Sequence, residues 1–224
     1  MKVEILHERE NSLARVMLDN DEVLMAQGGT LVALKGNISL NTTLRRSSRK
    51  SDRRNQDAIA TESLFITEFR AMGEQNEVWL APSMMGNILL HEVTSYKLIA
   101  LVSNYLASSG TMDLFFGLPE VTLPRKNETL TLLSITGQGE VLINGLGGIY
   151  LITVDGEYLV NLAHLVAFEN SLKYEITQLS KKGIGSWFKQ QPLFMKFTGQ
   201  GKLYCQTHHA KTWGHLIASR LKSK

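Results

Sequence analysis

Apolar and polar positions change over at short intervals along this chain. Short apolar or alternating runs are closed off by clusters of Gly, Asn, Asp and Ser, the pattern of an all-β protein. The clearest predicted strands are Leu64 to Phe69, Thr129 to Ile135, Val141 to Ile143, Ile149 to Val154, Tyr158 to Leu162 and Leu172 to Thr177. In the last of these, Leu172, Tyr174 and Ile176 alternate with Lys173 and Glu175, so a strand there buries one face and wets the other. Asp155-Gly156 stands between two of the runs and is a dipeptide suited to positive φ angles, which predicts a tight hairpin. Tyr96 to Ser108 reads two ways, because Tyr96, Ile99, Ala100, Ser103 and Leu106 also fall on a helical stripe. Near the end, Trp213, Leu216, Ile217 and Leu221 recur at helical spacing, with Lys211, His215, Arg220, Lys222 and Lys224 on the remaining face or in the last turn. A short amphipathic helix is expected over 211–224, packed on the sheet of its own or a neighbouring subunit.

The chain also repeats itself. Thr136-Gly137-Gln138-Gly139-Glu140-Val141-Leu142-Ile143-Asn144 returns as Thr198-Gly199-Gln200-Gly201-Lys202-Leu203-Tyr204-Cys205-Gln206, and Gly73-Glu74-Gln75-Asn76-Glu77-Val78-Trp79-Leu80 is a third, looser copy. Glu77, Glu140 and Lys202 are spaced by 63 and 62 residues. Leu31-Val32-Ala33-Leu34, Tyr105-Leu106-Ala107-Ser108 and Leu165-Val166-Ala167-Phe168 occupy the matching place in each unit. Such self-similarity implies three tandem units, roughly 1–82, 83–145 and 146–210, in a single compact β domain. The repeat resolves Tyr96 to Ser108 as two strands joined by a turn near Ser103-Asn104. It also makes 136–144 and 198–206 the same two-strand turn. Residues 41–60 interrupt the first unit and read as a mobile basic loop.

With these segments in place the chain resembles the altered-inheritance-of-mitochondria protein 24-like family, a mostly bacterial group, over nearly its whole length. The resemblance is carried by Gly28-Gly29-Thr30-Leu31-Val32-Ala33-Leu34-Lys35-Gly36-Asn37-Ile38, Glu62-Ser63-Leu64-Phe65, Leu80-Ala81-Pro82, Asn104-Tyr105-Leu106-Ala107-Ser108, Gly137-Gln138-Gly139, His164-Leu165-Val166-Ala167-Phe168-Glu169 and Thr198-Gly199-Gln200-Gly201-Lys202-Leu203-Tyr204. It implies a triplicated form of the small β-sandwich of the tryptophan RNA-binding attenuation protein, of double-stranded β-helix type, with a short C-terminal helix. It brings no catalytic residues, and fungal mitochondrial relatives are linked to inner-membrane organisation. The chain departs from the family pattern at Ala60-Thr61-Glu62-Ser63, where many relatives are glycine-rich, and at Cys205 and His208 in the tail motif.

Composition adds limits rather than a chemistry. Of the 224 residues 43% are hydrophobic and 20% charged, which suits a folded globular protein. The single cysteine, Cys205, has no internal disulfide partner and fits a reducing, cytoplasmic setting. Charges interrupt the first apolar run, and no segment reaches the length of a spanning helix. The net charge of +3 is concentrated in Arg45, Arg46, Arg49, Lys50, Arg53 and Arg54, opposed locally by Asp52 alone. Those six cations are the candidate phosphate or anion contacts, although no aromatics interleave with them for base stacking.

Candidate chemistry thins out elsewhere. Cys205, His208, His209 and His215 are metal-ligand types, but a closed four-ligand set is not spelled out, and no metal or other cofactor is expected. Neither is a nucleophile with its base and orienting group. His164 reads as a turn or core-edge histidine. Gly28, Gly29, Gly137, Gly139, Gly199 and Gly201 read as structural turn glycines, with no phosphate-loop lysine after them. Asp19-Asn20-Asp21 reads as a turn, and Trp187-Phe188 as an aromatic pair buried under the third unit. The expectation is a non-enzymatic scaffold or interaction protein that forms a homo-oligomer, an enzyme being the least favoured class because no acid, base and nucleophile can be grouped. RNA binding through 44–54 and peripheral membrane association are the alternatives.

Overall fold

The computed structural model describes residues 1–8, 11–46, 63–115, 121–122, 129–177 and 193–221. Most of this is strand. The first part holds β1 (Lys2–Leu6), β2 (Leu13–Leu18), β3 (Val23–Gln27), β4 (Leu31–Lys35), β5 (Ile38–Arg46), β6 (Ser63–Ala71) and β7 (Asn76–Leu80). The middle holds β8 (Gly86–Val93), β9 (Leu98–Leu101), β10 (Tyr105–Ser109), β11 (Asp113–Phe115), β12 (Val121–Thr122), β13 (Thr129–Leu130), β14 (Leu132–Thr136) and β15 (Gly139–Leu146). The last part holds β16 (Ile149–Asn161), β17 (Leu165–Glu169), β18 (Lys173–Thr177), β19 (Phe194–Gln206) and the helix α1 (Ala210–Arg220).

Three larger sheets follow from the pairing. They run β1-β2-β7-β4, then β5-β6-β3-β10-β15-β8, then β11-β14-β9-β17-β19-β16 with β18 added along β19. A short β12-β13 ladder stands apart. Two-stranded ribbons connect the sheets. The ladder of β2 with β7 ends at Leu18 opposite Asn76, and β3 with β6 resumes it at Val23 opposite Arg70 in the next sheet. The ladder of β8 with β15 ends at Val93 opposite Gly139, and β9 with β14 resumes it at Leu98 opposite Ile135.

The last ribbon corrects the expected hairpin at Asp155-Gly156. β16 runs through that dipeptide without reversing, paired with β19 from Ile149 opposite Gln206 to Asn161 opposite Phe194. Gly156 lies opposite Gly199, and both have positive φ, +98° and +115°. Two facing glycines let both strands bend at one point while the ladder stays intact, so the ribbon turns a corner where a lone glycine would turn the chain. Residues 198–206 are therefore part of one strand. At 136–144 the chain does break, with Gly137 at φ +120° between β14 and β15.

Tyr96 to Ser108 forms β9 and β10, joined by a 3-10 turn at Val102–Asn104, and a matching turn at Leu162–His164 joins β16 to β17. The expected loop over 41–60 begins too early, because residues 41–46 belong to β5 and pair with 63–68. Thr42 and Thr67 face each other there, their hydroxyl oxygens 3.0 Å apart, a side-chain pair that suits a strand. The rest of that expected loop lies outside the described residues, as do Trp187 and Phe188.

One irregularity occurs three times. Leu31 lies opposite Leu80 but Ala33 opposite Trp79; Tyr105 opposite Ile143 but Ala107 opposite Leu142; Leu165 opposite Cys205 but Ala167 opposite Tyr204. Val32, Leu106 and Val166 are thus the extra residues of three bulges at the same place in their ladders. Three apolar cores lie between the sheets, around Val16, Phe69 and Val78, around Tyr105, Leu133 and Val166, and around Phe168, Met195 and Phe197. Tyr174 and Ile176 pack on the third, as their alternation requires. Of the two packings expected for the tail helix, the one on its own sheet is not seen. Trp213 is half-buried, but Leu216, Ile217 and Leu221 are exposed, so its apolar stripe does not lie on the chain's own sheet.

Candidate functional site

An enclosed cluster of ionisable groups is centred on His91. β8 turns alternate residues inward, and His91, two before the buried Val93, is one of them. Its ring lies edge-on to Tyr204 of β19, centroids 5.3 Å apart, and to Tyr96 of the turn after β8, at 5.8 Å. Tyr96 Oη donates to the Glu92 carbonyl at 3.0 Å and lies 2.8 Å from His91 Nε2, so that nitrogen carries the proton and donates. His91 Nδ1 is then the acceptor for the Tyr204 hydroxyl at 2.7 Å. Burial, with Lys202 adding to it, lowers the His91 pKa from its ordinary value, and burial pushes Tyr204 up to about 12. A neutral imidazole with both nitrogens engaged is an orienting strut, with no free base to offer a ligand.

A second polar network joins the turns to β15 and β19. Gln206 Oε1 accepts from the Leu146 backbone at 2.9 Å and from Asn104 Nδ2 at 3.2 Å, while Asn104 Nδ2 also reaches the Asn144 carbonyl at 2.7 Å. His164 Nδ1 donates to the Gln206 carbonyl at 2.8 Å, which places this histidine at the edge of the core as a turn residue. Next to Gln206, Cys205 is buried, and burial pushes its thiol up to about 11. The thiol stays protonated, which suits neither a nucleophile nor a metal ligand. His208 Nδ1 lies 2.8 Å from Thr207 Oγ1 and His209 Nδ1 lies 3.2 Å from Thr212 Oγ1. Among the described residues no three His, Cys, Asp or Glu side chains are grouped to hold a metal.

On the outer face of the first sheet, Glu77 receives Arg15 Nε at 3.1 Å, an Arg15 terminal nitrogen at 2.8 Å, Lys35 Nζ at 3.2 Å and Trp79 Nε1 at 3.2 Å. The hydrogen bonds from Arg15, then Lys35, hold its carboxyl down at about 2. This clamp borders an open groove of about 700 Å³ that Asp19, Asn20 and Glu74 also line.

The residues singled out from sequence are not gathered at any of these places. Arg45 and Arg46 end β5, opposite Leu64 and Ser63, and Arg49, Lys50, Arg53 and Arg54 lie outside the described residues. Gly28 and Gly29 precede β4, the latter at φ +87°, and a side chain at Gly28 would meet Phe65 Cβ at 2.8 Å. Gly139 has φ +153° beside Ser109 and Thr111, and a side chain at Gly201 would collide with the Ser171 hydroxyl. Sequence reasoning passed over His91 and Tyr204, although an inward histidine in an alternating run is a signal that partners are required.

It also passed over the apolar surface. Large apolar side chains are exposed on β4 (Leu31, Val32, Leu34), on β5 and β6 (Leu40, Leu44, Phe65), on β16 (Tyr150, Leu151, Tyr158, Leu159) and on α1. No helix among the described residues is long and apolar enough to cross a membrane.

Three likenesses accompany this geometry. The family model for mitochondrial biogenesis AIM24 matches residues 3–208. An uncharacterised protein of Streptococcus pyogenes serotype M6 is 25% identical over 209 residues, which are 87% of this chain and 81% of that one. The crystal structure of a Streptococcus pyogenes protein superposes with a TM-score of 0.72 at 22% identity, covering 98% of this chain and 99% of that one, a likeness of fold.

Proposed function

The chain belongs to the mitochondrial biogenesis AIM24 family, and from that premise we propose that it is a non-enzymatic interaction protein, built of three similar sandwiches, that works by self-association. The supporting observation is where its apolar side chains lie. β4 and the second arm of β16 are strands at the ends of their sheets, and both present large apolar residues to solvent. A soluble protein ordinarily blunts such edges with lysine, proline or a cover, because unpaired strand groups beside apolar side chains recruit another chain. The enclosed polar groups support the same reading: His91, Gln206 and Cys205 are spent on internal order.

Sedimentation velocity over a range of protein concentrations tests this. The proposal expects species well above the 25.0 kDa chain mass that grow with concentration. A single species of chain mass throughout the range would remove self-association as the mode of action.

A further inference from the structure

We propose that β4 of one copy adds as an antiparallel strand to the β16 edge of a second copy, with Ala33 opposite Val160, Leu34 opposite Leu159 and Lys35 opposite Tyr158; this deepens the self-association proposed above and rests on it. The register is taken from two junctions within the chain. β10 pairs on its second side with β3, Ala107 opposite Ala26, Ser108 opposite Met25 and Ser109 opposite Leu24. β17 pairs on its second side with β9, Ala167 opposite Ala100, Phe168 opposite Ile99 and Glu169 opposite Leu98. Leu31, Tyr105 and Leu165 head the three bulged strands at the same ladder position. Gln27, Leu101 and Asn161 likewise end the three strands that run into the turns before them. Counting from those ends gives β4 the partner residues Val160, Leu159 and Tyr158.

Burial shows that each half of this third junction is unfilled in the single chain. Tyr105, Leu106 and Ala107 are fully buried, as are Leu165, Val166 and Ala167, whereas Leu31, Val32 and Leu34 are 42%, 57% and 40% exposed. On the accepting side, Leu98 and Ile99 are at 0% and 1% and Leu24 and Met25 at 0% and 6%, whereas Tyr158 and Leu159 are at 44% and 41%. Among the described residues β4 has β7 on one side and ends its sheet, and β16 has β19 on one side and ends its own. Unlike β10 and β17, β4 thus leaves one row of backbone groups without a strand partner among the described residues, and a strand edge of matching length and apolar character fills it. The two halves lie on different surfaces of the same chain. The contact is therefore head-to-tail, and it propagates into a ring or a filament instead of stopping at a symmetric dimer.

The test mixes two variants of the full chain, Leu34→Cys and Leu159→Cys, under mild oxidation. Both positions are exposed, so neither change touches a core, and the native Cys205 is buried with its thiol protonated. Directly opposed strand residues lie within the Cα spacing a disulfide accepts, about 4.4–6.8 Å. The mixture should yield a cross-linked species of twice the chain mass, at least tenfold faster than either variant alone or than a mixture of Leu34→Cys with the exposed Met72→Cys. Leu34→Lys should reduce the assembled mass in sedimentation. Equal cross-linking in all mixtures, or faster cross-linking of Leu34→Cys with itself, overturns the head-to-tail register. So does a Leu34→Cys/Leu159→Cys double variant that closes within one chain. Concentration-dependent assembly without the mixed cross-link would leave self-association standing and this interface refuted, whereas a monomer at every concentration removes both.

Discussion

Replacing Tyr204 by Phe removes one hydroxyl and nothing else from the centre of the molecule. The ring stays against His91, but His91 Nδ1 loses the 2.7 Å hydrogen bond it accepts. Both partners are buried, Tyr204 at 5% exposure and His91 at 7%, so water does not replace the lost donor freely. An unsatisfied buried acceptor costs about 1–3 kcal/mol. In a chain of this size that is a drop in Tm of roughly 2–12 °C. Urea unfolding should show a lower midpoint at unchanged slope. Replacing both partners, Tyr204→Phe with His91→Leu, should cost less than the two single changes added, because no orphaned nitrogen remains. The pH dependence carries a separate sign. Burial lowers the His91 pKa below its ordinary 6.5, so on acidification the unfolded chain takes up this proton first. Stability should therefore be complete above about 6.5, fall as pH drops from there toward the lower folded value, and level off below it. His91→Leu should abolish that segment of the profile. A Tyr204→Phe variant with unchanged midpoint, or a pH profile indifferent to His91, would refute the hydrogen-bond assignment.

Other perturbations reach the remaining features. Gly139→Val and Gly201→Val should each destabilise by more than about 1 kcal/mol, the first through a positive φ and the second through collision with Ser171, while Gln138→Ala and Gln200→Ala stay milder; thermal unfolding reads all four. Glu77→Gln should flatten the acid limb of stability between about 4.5 and 2, since its depressed carboxyl contributes stability above the unfolded value that is lost as pH falls through the folded one. Neutralising Arg45, Arg46, Arg49, Lys50, Arg53 and Arg54 together should leave both the melting temperature and the assembled mass unchanged. Tight wild-type retention on RNA, DNA or anionic vesicles at physiological salt, steeply salt-dependent and lost with those charges, would favour a phosphate-binding role instead.

The strands and the two-strand reading of Tyr96 to Ser108 were legible because apolar periodicity and recurring turn glycines are local signals. Asp155-Gly156 misled because its conformation depends on what lies across the ladder: Gly199 faces Gly156 and converts a turn signal into a shared bend. The later part of β5 was hidden for a similar reason, since its polar Asn41, Thr42 and Thr43 gain their strand character from pairing with Glu68, Thr67 and Ile66. The tail helix was legible as a helix, but an apolar stripe does not say what covers it. Hardest to read were the strand edges. Leu31-Val32-Ala33-Leu34 looks like its two echoes, yet it is exposed because no neighbouring strand follows it in the sheet among the described residues. His91 was legible in principle, from its inward place two residues before Val93.

Hydrogen–deuterium exchange of the β4 and β16 amides as a function of protein concentration tests the edge-to-edge assembly most directly. Residues 31–35 and 158–160 should gain protection together as concentration rises, and lose it in Leu34→Lys, while the buried β10 and β17 amides exchange slowly throughout. Rapid exchange at 31–35 that stays independent of concentration, in wild type and variant alike, would contradict it.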